Sequence, residues 1–157
     1  MLVKPKLPPD PTQHQEPFGC NPCNKPRCNI CKVMIPSSKF QSSTTNKQYP
    51  IFGKISCDTN NVIYQLSCKN CPSDYIGKTK TNLRFRINNH KADIRNPTID
   101  RPVANHARSY SQNFEECFTL KGLYKLPNNH SDRRLKEIEQ AHQLVLTSKI
   151  LFGLNIK

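Results

Sequence analysis

Two short triplets do most to restrict what this chain can fold into. Val62-Ile63-Tyr64 and Tyr75-Ile76-Gly77 stand ten residues apart, with Cys68-x-x-Cys71 between them. Both triplets are rich in β-branched and aromatic residues, the composition of short strands. The spacing fits an antiparallel pair joined by a loop, which brings the phenols of Tyr64 and Tyr75 into one sheet.

The flanking sequence supplies the other elements. Tyr49 to Cys57 reads as a strand, and Asp58-Thr59-Asn60-Asn61 as a turn. Leu83, Ile87 and Ile94 recur at helical spacing, which predicts a helix near 82–95 that Pro97 stops. A second short helix starts after Pro102, and Phe118 to Leu126 alternates as a strand. Ser131-Asp132 caps a last helix that runs to about Lys149 and ends at Gly153. The order predicts an α+β domain, with a small antiparallel β-sheet of about three strands flanked by helices. Three segments are expected. Residues 1–19, with Pro5, Pro8, Pro9, Pro11 and Pro17, read as a Pro-rich linker or disordered arm. Residues 20–57 form a Cys-rich zinc-binding segment and β-rich lead-in, and 58–157 the α+β domain.

Charge and cysteine usage narrow the function. Lys and Arg number 24 against 11 Asp and Glu, a formal net charge of +13. Such an excess points to a polyanion, most simply nucleic acid, with Lys78, Lys80, Arg84 and Lys91 as its contacts. Met1-Leu2-Val3-Lys4-Pro5 has no apolar core of a secretory signal, and no stretch approaches membrane-spanning length. A reducing, intracellular setting follows, where paired cysteines favour structural Zn²⁺ over disulfides. Cys20, Cys23, Cys28 and Cys31 have strong ligand spacing, and Cys68 with Cys71 makes a second knuckle. Alternatively Cys28, Cys31, Cys68 and Cys71 share one ion. Cys57 and Cys117 read as small buried hydrophobes.

Arg86 and His90 are spaced i, i+4 and share a helix face beside Leu83 and Ile87. A fixed cation there suits a phosphate in a transition state, a solvated basic helix being the plainer alternative. On the last helix the apolar stripe is Leu135, Ile138, Val145 and Leu146. Glu139 falls at the edge of that stripe and Glu137 well away from it. A partly buried carboxylate must be paired or bind a metal, so Glu139 is a candidate Mg²⁺ ligand, with a salt bridge to an arginine as the alternative.

Together these residues resemble the GIY-YIG endonuclease family, from about residue 62 to 155. Its two tyrosine motifs fall on 62–64 and 75–77, its helix arginine on Arg86, its histidine on His90, its metal-binding glutamate on Glu139 and its asparagine on Asn155. A narrower resemblance is to the endonuclease domain of Penelope-like retroelements. It rests on Cys68-x-x-Cys71 between the motifs, Tyr75-Ile76-Gly77-x-Thr79, the segment from Pro102 to His106, and Arg27-Cys28-x-x-Cys31 upstream. Leu2 to Pro8 also resembles the linker that follows the reverse transcriptase in such elements.

The resemblance implies a metal-dependent DNA endonuclease that nicks phosphodiesters, as the tail of a retroelement without its polymerase. Mg²⁺ or Mn²⁺ would sit on Glu139, and Tyr64 would be the general base, its pKa lowered by the cationic site. Arg86 would neutralise the developing charge, Tyr75 and His90 would position water and phosphate, and Asn155 would orient Glu139. Cys68, Cys71 and His106 would hold structural zinc. The implied location is nuclear, the partners DNA and, in a full element, its RNA or reverse transcriptase, with no membrane. Val62 stands for the first glycine of the family motif, His142 for an aromatic residue and Leu151 for a proline. Gln112 stands where a second zinc histidine is expected, which leaves His90, another cysteine such as Cys57, or water as fourth ligand, or a damaged site; His90 is assigned to the phosphate instead. Two alternatives remain: a non-catalytic zinc-containing nucleic-acid-binding module, and a decayed, inactive retroelement fragment.

Overall fold

The computed structural model describes residues 18–41, 47–126 and 132–145. The proline-rich arm up to residue 17, the Ser131 cap, the predicted helix beyond 145, Gly153 and Asn155 lie outside the described residues. In chain order the strands are β1 (Gly19–Cys20), β2 (Lys39–Gln41), β3 (Gln48–Pro50), β4 (Lys54–Ile55), β5 (Val62–Cys68) and β6 (Asp74–Thr79). Helices α1 (Leu83–Arg95), α2 (Pro102–Arg108) and α3 (Phe114–Cys117) come next, then β7 (Phe118–Lys125) and α4 (Asp132–Val145). The class is α+β, as the sequence predicts.

A three-stranded antiparallel sheet in the order β6-β5-β7 forms the centre. β5 is buried from Val62 through Leu66, as a middle strand covered on both faces must be. Between β5 and β7 the register shifts: Ile63 faces Tyr124 but Tyr64 faces Gly122. The extra residue, Leu123, is a β-bulge beside Tyr64, the kind of irregularity that re-aims a side chain.

α1 packs Leu83, Ile87 and Ile94 into the core, so the predicted apolar stripe is its buried face. Its first turn is fully provided for. Asn82 Oδ1 accepts the Phe85 N–H at 2.8 Å, while the N–H groups of Leu83 and Arg84 reach the carbonyls of Thr59 and Cys57 at 3.0 and 2.9 Å. α2 opens on Pro102, where a missing N–H costs nothing. Arg108 donates to the carbonyls of Asp93, Ile94, Asn96 and Ile99, which ties α2 to the end of α1.

Residues 20–57 build onto the outer edge of β7. Met34 and Phe52 form bridges to Leu120 and Tyr124. The single strand expected over Tyr49 to Cys57 is two, β3 and β4, broken at Gly53. That glycine has φ +103°, and a Cβ there would lie 2.8 Å from Lys125 Cβ. Cys20, Ile30, Val33, Met34, Ile51 and Ile55 join β5, β7 and α1 in one continuous core.

Candidate active site and metal-binding groups

Strand pairing sets the site. Tyr64 lies opposite Gly77 and Leu66 opposite Tyr75, so positions 64, 75 and 77 share one face of the sheet. α1 crosses that face and brings His90 to both phenols. Ring centroids are 6.1 Å apart for Tyr64 and Tyr75, 6.0 Å for Tyr64 and His90, and 5.7 Å for Tyr75 and His90. Gly77 makes the cluster sterically possible. A Cβ there would stand 2.6 Å from Cζ and Oη of Tyr64 and 2.7 Å from Cε2 of Tyr75. Arg86 Nε donates to Tyr64 Oη at 3.1 Å, and the same hydroxyl is 2.8 Å from His90 Nε2.

Burial decides the protonation states. His90 is pushed down to about 3, by burial first and then by Arg86 and Arg101. It is therefore neutral at pH 7, and its Nε2 shares a hydrogen bond with the Tyr64 hydroxyl while Arg86 donates to the same oxygen. Burial, reinforced by Tyr75, raises the Tyr64 phenol well above its ordinary value, against the pull of Arg86. The lowered Tyr64 expected from the sequence is thus not present in the free protein, because desolvation outweighs the cation. Tyr75 is also raised, by burial, with Arg86 opposing and Glu139 adding to the shift.

Glu139 stands at the rim of this cluster, where α4 packs on β6. Its side chain is 13% exposed, against 50% for Glu137, as the phase of the helix predicts. Among the described residues its ion-pair partner is Lys78, with Nζ 3.4 Å from Oε1, and not an arginine. An open cleft of about 510 Å³ runs alongside, lined by Lys78, Lys80, Arg86 and Lys136 with the exposed ring of Phe85. Sequence reasoning misses Lys136. The available signal is its spacing of three residues from Glu139 on one helix.

Residues 60–137 match the family model of the GIY-YIG catalytic domain. This stretch is a GIY-YIG nuclease domain. The match takes in Tyr64, Tyr75, Arg86 and His90 and stops two residues before Glu139. No curated protein and no solved structure matches the chain. As a nuclease family, GIY-YIG proteins act on DNA, and they generally use divalent metals. None of the described helices is long and apolar enough to cross a membrane.

Two of the four basic residues assigned to DNA contact do other work in this GIY-YIG domain. Lys91 is only 7% exposed; its Nζ donates to the Asn29 carbonyl at 2.9 Å and to Glu115 Oε2 at 3.1 Å. Arg84 donates to Asp58 and to the sulfurs of Cys28 and Cys23. The Cys-rich segment packs on this face of α1, so both cations are engaged by groups of the protein itself.

Two groups of donors in the described residues can hold a metal ion: Cys23, Cys28, Cys31 and Cys57, and Cys68, Cys71 and His106. All eight cysteines are free. Cys20, expected among the ligands, is replaced by Cys57. β1 pairs with β4 and turns the Cys20 side chain into the core, where its sulfur accepts the Gly122 N–H at 3.2 Å. The reading of Cys57 as a plain hydrophobe is corrected likewise: it is buried, but its sulfur lies 3.8 Å from that of Cys31. Cys117 is buried with its sulfur toward the Ala107 and Ser111 carbonyls. One ion shared by Cys28, Cys31, Cys68 and Cys71 does not fit, since these belong to separate groups. In the second group Cys71 Sγ is 3.4 Å from His106 Nε2 at the tip of the β5–β6 hairpin. Among the described residues no fourth cysteine, histidine or carboxylate joins it. His90 is committed to Tyr64, and Gln112 is exposed.

Proposed function

We propose that this chain is a metal-dependent endonuclease that nicks DNA, and that it is the C-terminal part of a Penelope-like retroelement, acting in the nucleus. The observation that carries the reading is the Tyr64 hydroxyl, fixed between Arg86 and His90, in a cluster with Tyr75, with Glu139 and a basic cleft at its rim. Cys68-x-x-Cys71 at the hairpin tip, beside His106, supports the retroelement assignment and a structural zinc there. In a full element the partners would be its RNA and reverse transcriptase, and the nick's 3′-hydroxyl would prime DNA synthesis.

The donor chemistry fits Mg²⁺ or Mn²⁺. Glu139 is a single half-buried carboxylate beside an exposed cleft, and hard divalent ions take carboxylate, phosphate and water oxygens. When bound, such an ion supplies Lewis-acid polarisation of the scissile phosphate. Lys78 neutralises the carboxylate otherwise. Tyr64 is the general base: burial keeps its phenol protonated in the free protein, so it gives up its proton to solvent only when a bound cation adds to the charge of Arg86, and the phenolate then takes a proton from the water that attacks phosphorus. Arg86 also offsets charge developing on the phosphate. Neutral His90 fixes the direction of the Tyr64 hydroxyl. Tyr75, half-buried, positions water and phosphate. Asn155, which lies outside the described residues, orients Glu139 in this reading.

Nicking of supercoiled plasmid with Mg²⁺ tests the reading. Tyr64→Phe, Arg86→Ala and Glu139→Ala should each lower the rate about 10²–10³-fold, the usual effect of removing one electrostatic group. Cleavage that survives Glu139→Ala would sink the metal assignment. The Lys78–Glu139 pair favours one rival, a zinc-containing module that binds nucleic acid without cutting it. Wild-type protein that shifts plasmid on a gel yet never nicks it would establish that rival.

A further inference from the structure

We propose that Cys23, Cys28, Cys31 and Cys57 bind one Zn²⁺ as a tetrathiolate, and that Arg84 is the joint through which this ion holds α1, and so Arg86 and His90, in place. The second half rests on the nuclease reading above; the first does not.

The sulfurs are already spaced for an ion. Cys23 Sγ is 3.7 Å and Cys57 Sγ 3.8 Å from Cys31 Sγ. Four sulfurs at about 2.3 Å from a tetrahedral Zn²⁺ stand about 3.8 Å from each other. Backbone donors surround them: Cys23 N–H points to Cys57 Sγ at 3.4 Å, Asn24 N–H to Cys31 Sγ at 3.3 Å and Lys25 N–H to Cys23 Sγ at 3.4 Å. Asn24 has φ +61°, the left-handed turn that aims two successive N–H groups at the sulfurs. N–H donors of this kind orient and stabilise thiolate ligands. Binding leaves four thiolates on the ion, their remaining thiol protons passing to solvent, and so a net dianion. The guanidinium of Arg84 lies against that charge, 3.2 Å from both Cys28 Sγ and Cys23 Sγ.

Arg84 belongs to a stripe on α1. Asn88 Oδ1 accepts from Asn29 Nδ2 at 2.9 Å, and Lys91 Nζ reaches the Asn29 carbonyl at 2.9 Å. Residues 84, 88 and 91 lie on one helix face, and 86 and 90 on the opposite one. α1 is therefore held between the thiol group and the tyrosine cluster. Its first turn also hangs from the ligand segment, through Leu83 N–H to Thr59 and Arg84 N–H to Cys57. An ion that fixes Cys57 fixes the start of the helix two residues before Arg86.

Two measurements do not require the chain to cut DNA. Zinc-free Cys71→Ser protein, which lacks the second donor group, is titrated with Co²⁺. It should show thiolate charge-transfer absorption with the intensity of four sulfurs per ion. Adding Cys57→Ser should reduce that intensity, and adding Cys20→Ser should not; the reverse pattern overturns the ligand set. Should the Cys57→Ser protein not fold, the Cys71→Ser spectrum decides alone, and an intensity of two sulfurs overturns it. Hydrogen exchange is then compared before and after a chelator strips the full-length wild type. The amides of Leu83 and Arg84 should exchange faster while β5 stays protected. Unchanged exchange, or loss of β5 protection together with the helix, overturns the coupling.

The plasmid assay completes the set. Arg84→Gln that retains its zinc should lose about 10–100-fold in kcat, as loss of outer-sphere partners does, with KM nearly unchanged and partial recovery in Arg84→Lys. A raised KM at constant kcat would make Arg84 a DNA contact and overturn the proposal. If wild type does not nick at all, the nuclease reading fails, and the cobalt and exchange results still decide the metal site.

Discussion

A methyl group at position 77 would have to share space with two phenols. Gly77→Ala is expected to cost about 1–3 kcal/mol, the range for overpacking a filled site. Its effect on nicking should be larger, because relief of the clash tilts Tyr64 away from Arg86 and His90. Denaturant midpoints and plasmid nicking measured side by side test this; an alanine variant with wild-type rate refutes the steric role. His90 faces Tyr64 and Tyr75 from the sheet and Arg86 from its own helix, with Arg101 contributing from the following loop. Its pKa falls from 6.5 to about 3 on folding. Between those values the unfolded chain binds a proton that the native chain refuses, so this residue makes stability rise with pH across that window. His90→Gln should remove that part of the dependence. A wild-type-minus-variant difference in unfolding free energy that is equal at pH 4 and pH 7 would contradict the assignment. At this scale the sequence is informative where a residue's neighbours are strand or helix neighbours. The pairing of Tyr64 with Tyr75, the shared face of Arg86 and His90 and the edge position of Glu139 follow from period and phase, while their union into one site rests on the family resemblance. Cys57 does not, because its three partners lie 26 to 34 residues upstream and its own surroundings read as a strand.

At the scale of elements, α1 differs from an amphipathic surface helix. One face meets the tyrosines, the opposite face meets the Cys-rich segment, and Leu83, Ile87 and Ile94 fill the core. Periodicity locates the helix and its apolar stripe but cannot tell which polar face is covered. Arg84 and Lys91 therefore read as DNA contacts when they are internal partners. Asn82 closes the N-terminus through the Phe85 N–H. Asn82→Ala is expected to cost about 0.5–2 kcal/mol, the range for loss of a cap. The value should fall at the low end, because two more first-turn N–H groups keep their carbonyl partners in Thr59 and Cys57. Calorimetric unfolding would show it, and a loss beyond that range would mean that the cap also fixes the 57–59 turn. The break between β3 and β4 is hidden for a different reason. Gly53 fills a gap against Lys125, a residue far along the chain that no local pattern reports.

At the scale of the whole molecule, the boundary at residue 58 marks a change in sequence character without a matching gap in the packing. Ile30, Val33, Met34, Ile51 and Ile55 share the core of β5 and β7. Compositional shifts reveal such a boundary, whereas burial across it depends on contacts between distant segments. The backbone of β7 is satisfied across the same boundary. On its outer side Leu120 N–H reaches the Val33 carbonyl, Ile35 N–H reaches Leu120, and Phe52 exchanges bonds with Leu123 and Lys125. A fragment cut to begin at residue 58 would present β7 as a bare edge strand, ready to pair with a second fragment. Such a fragment is expected to self-associate, with sedimentation velocity showing dimers and larger species that the full-length chain does not form. The Cys-rich segment would then act as an intramolecular guard against aggregation, whether or not it holds a metal.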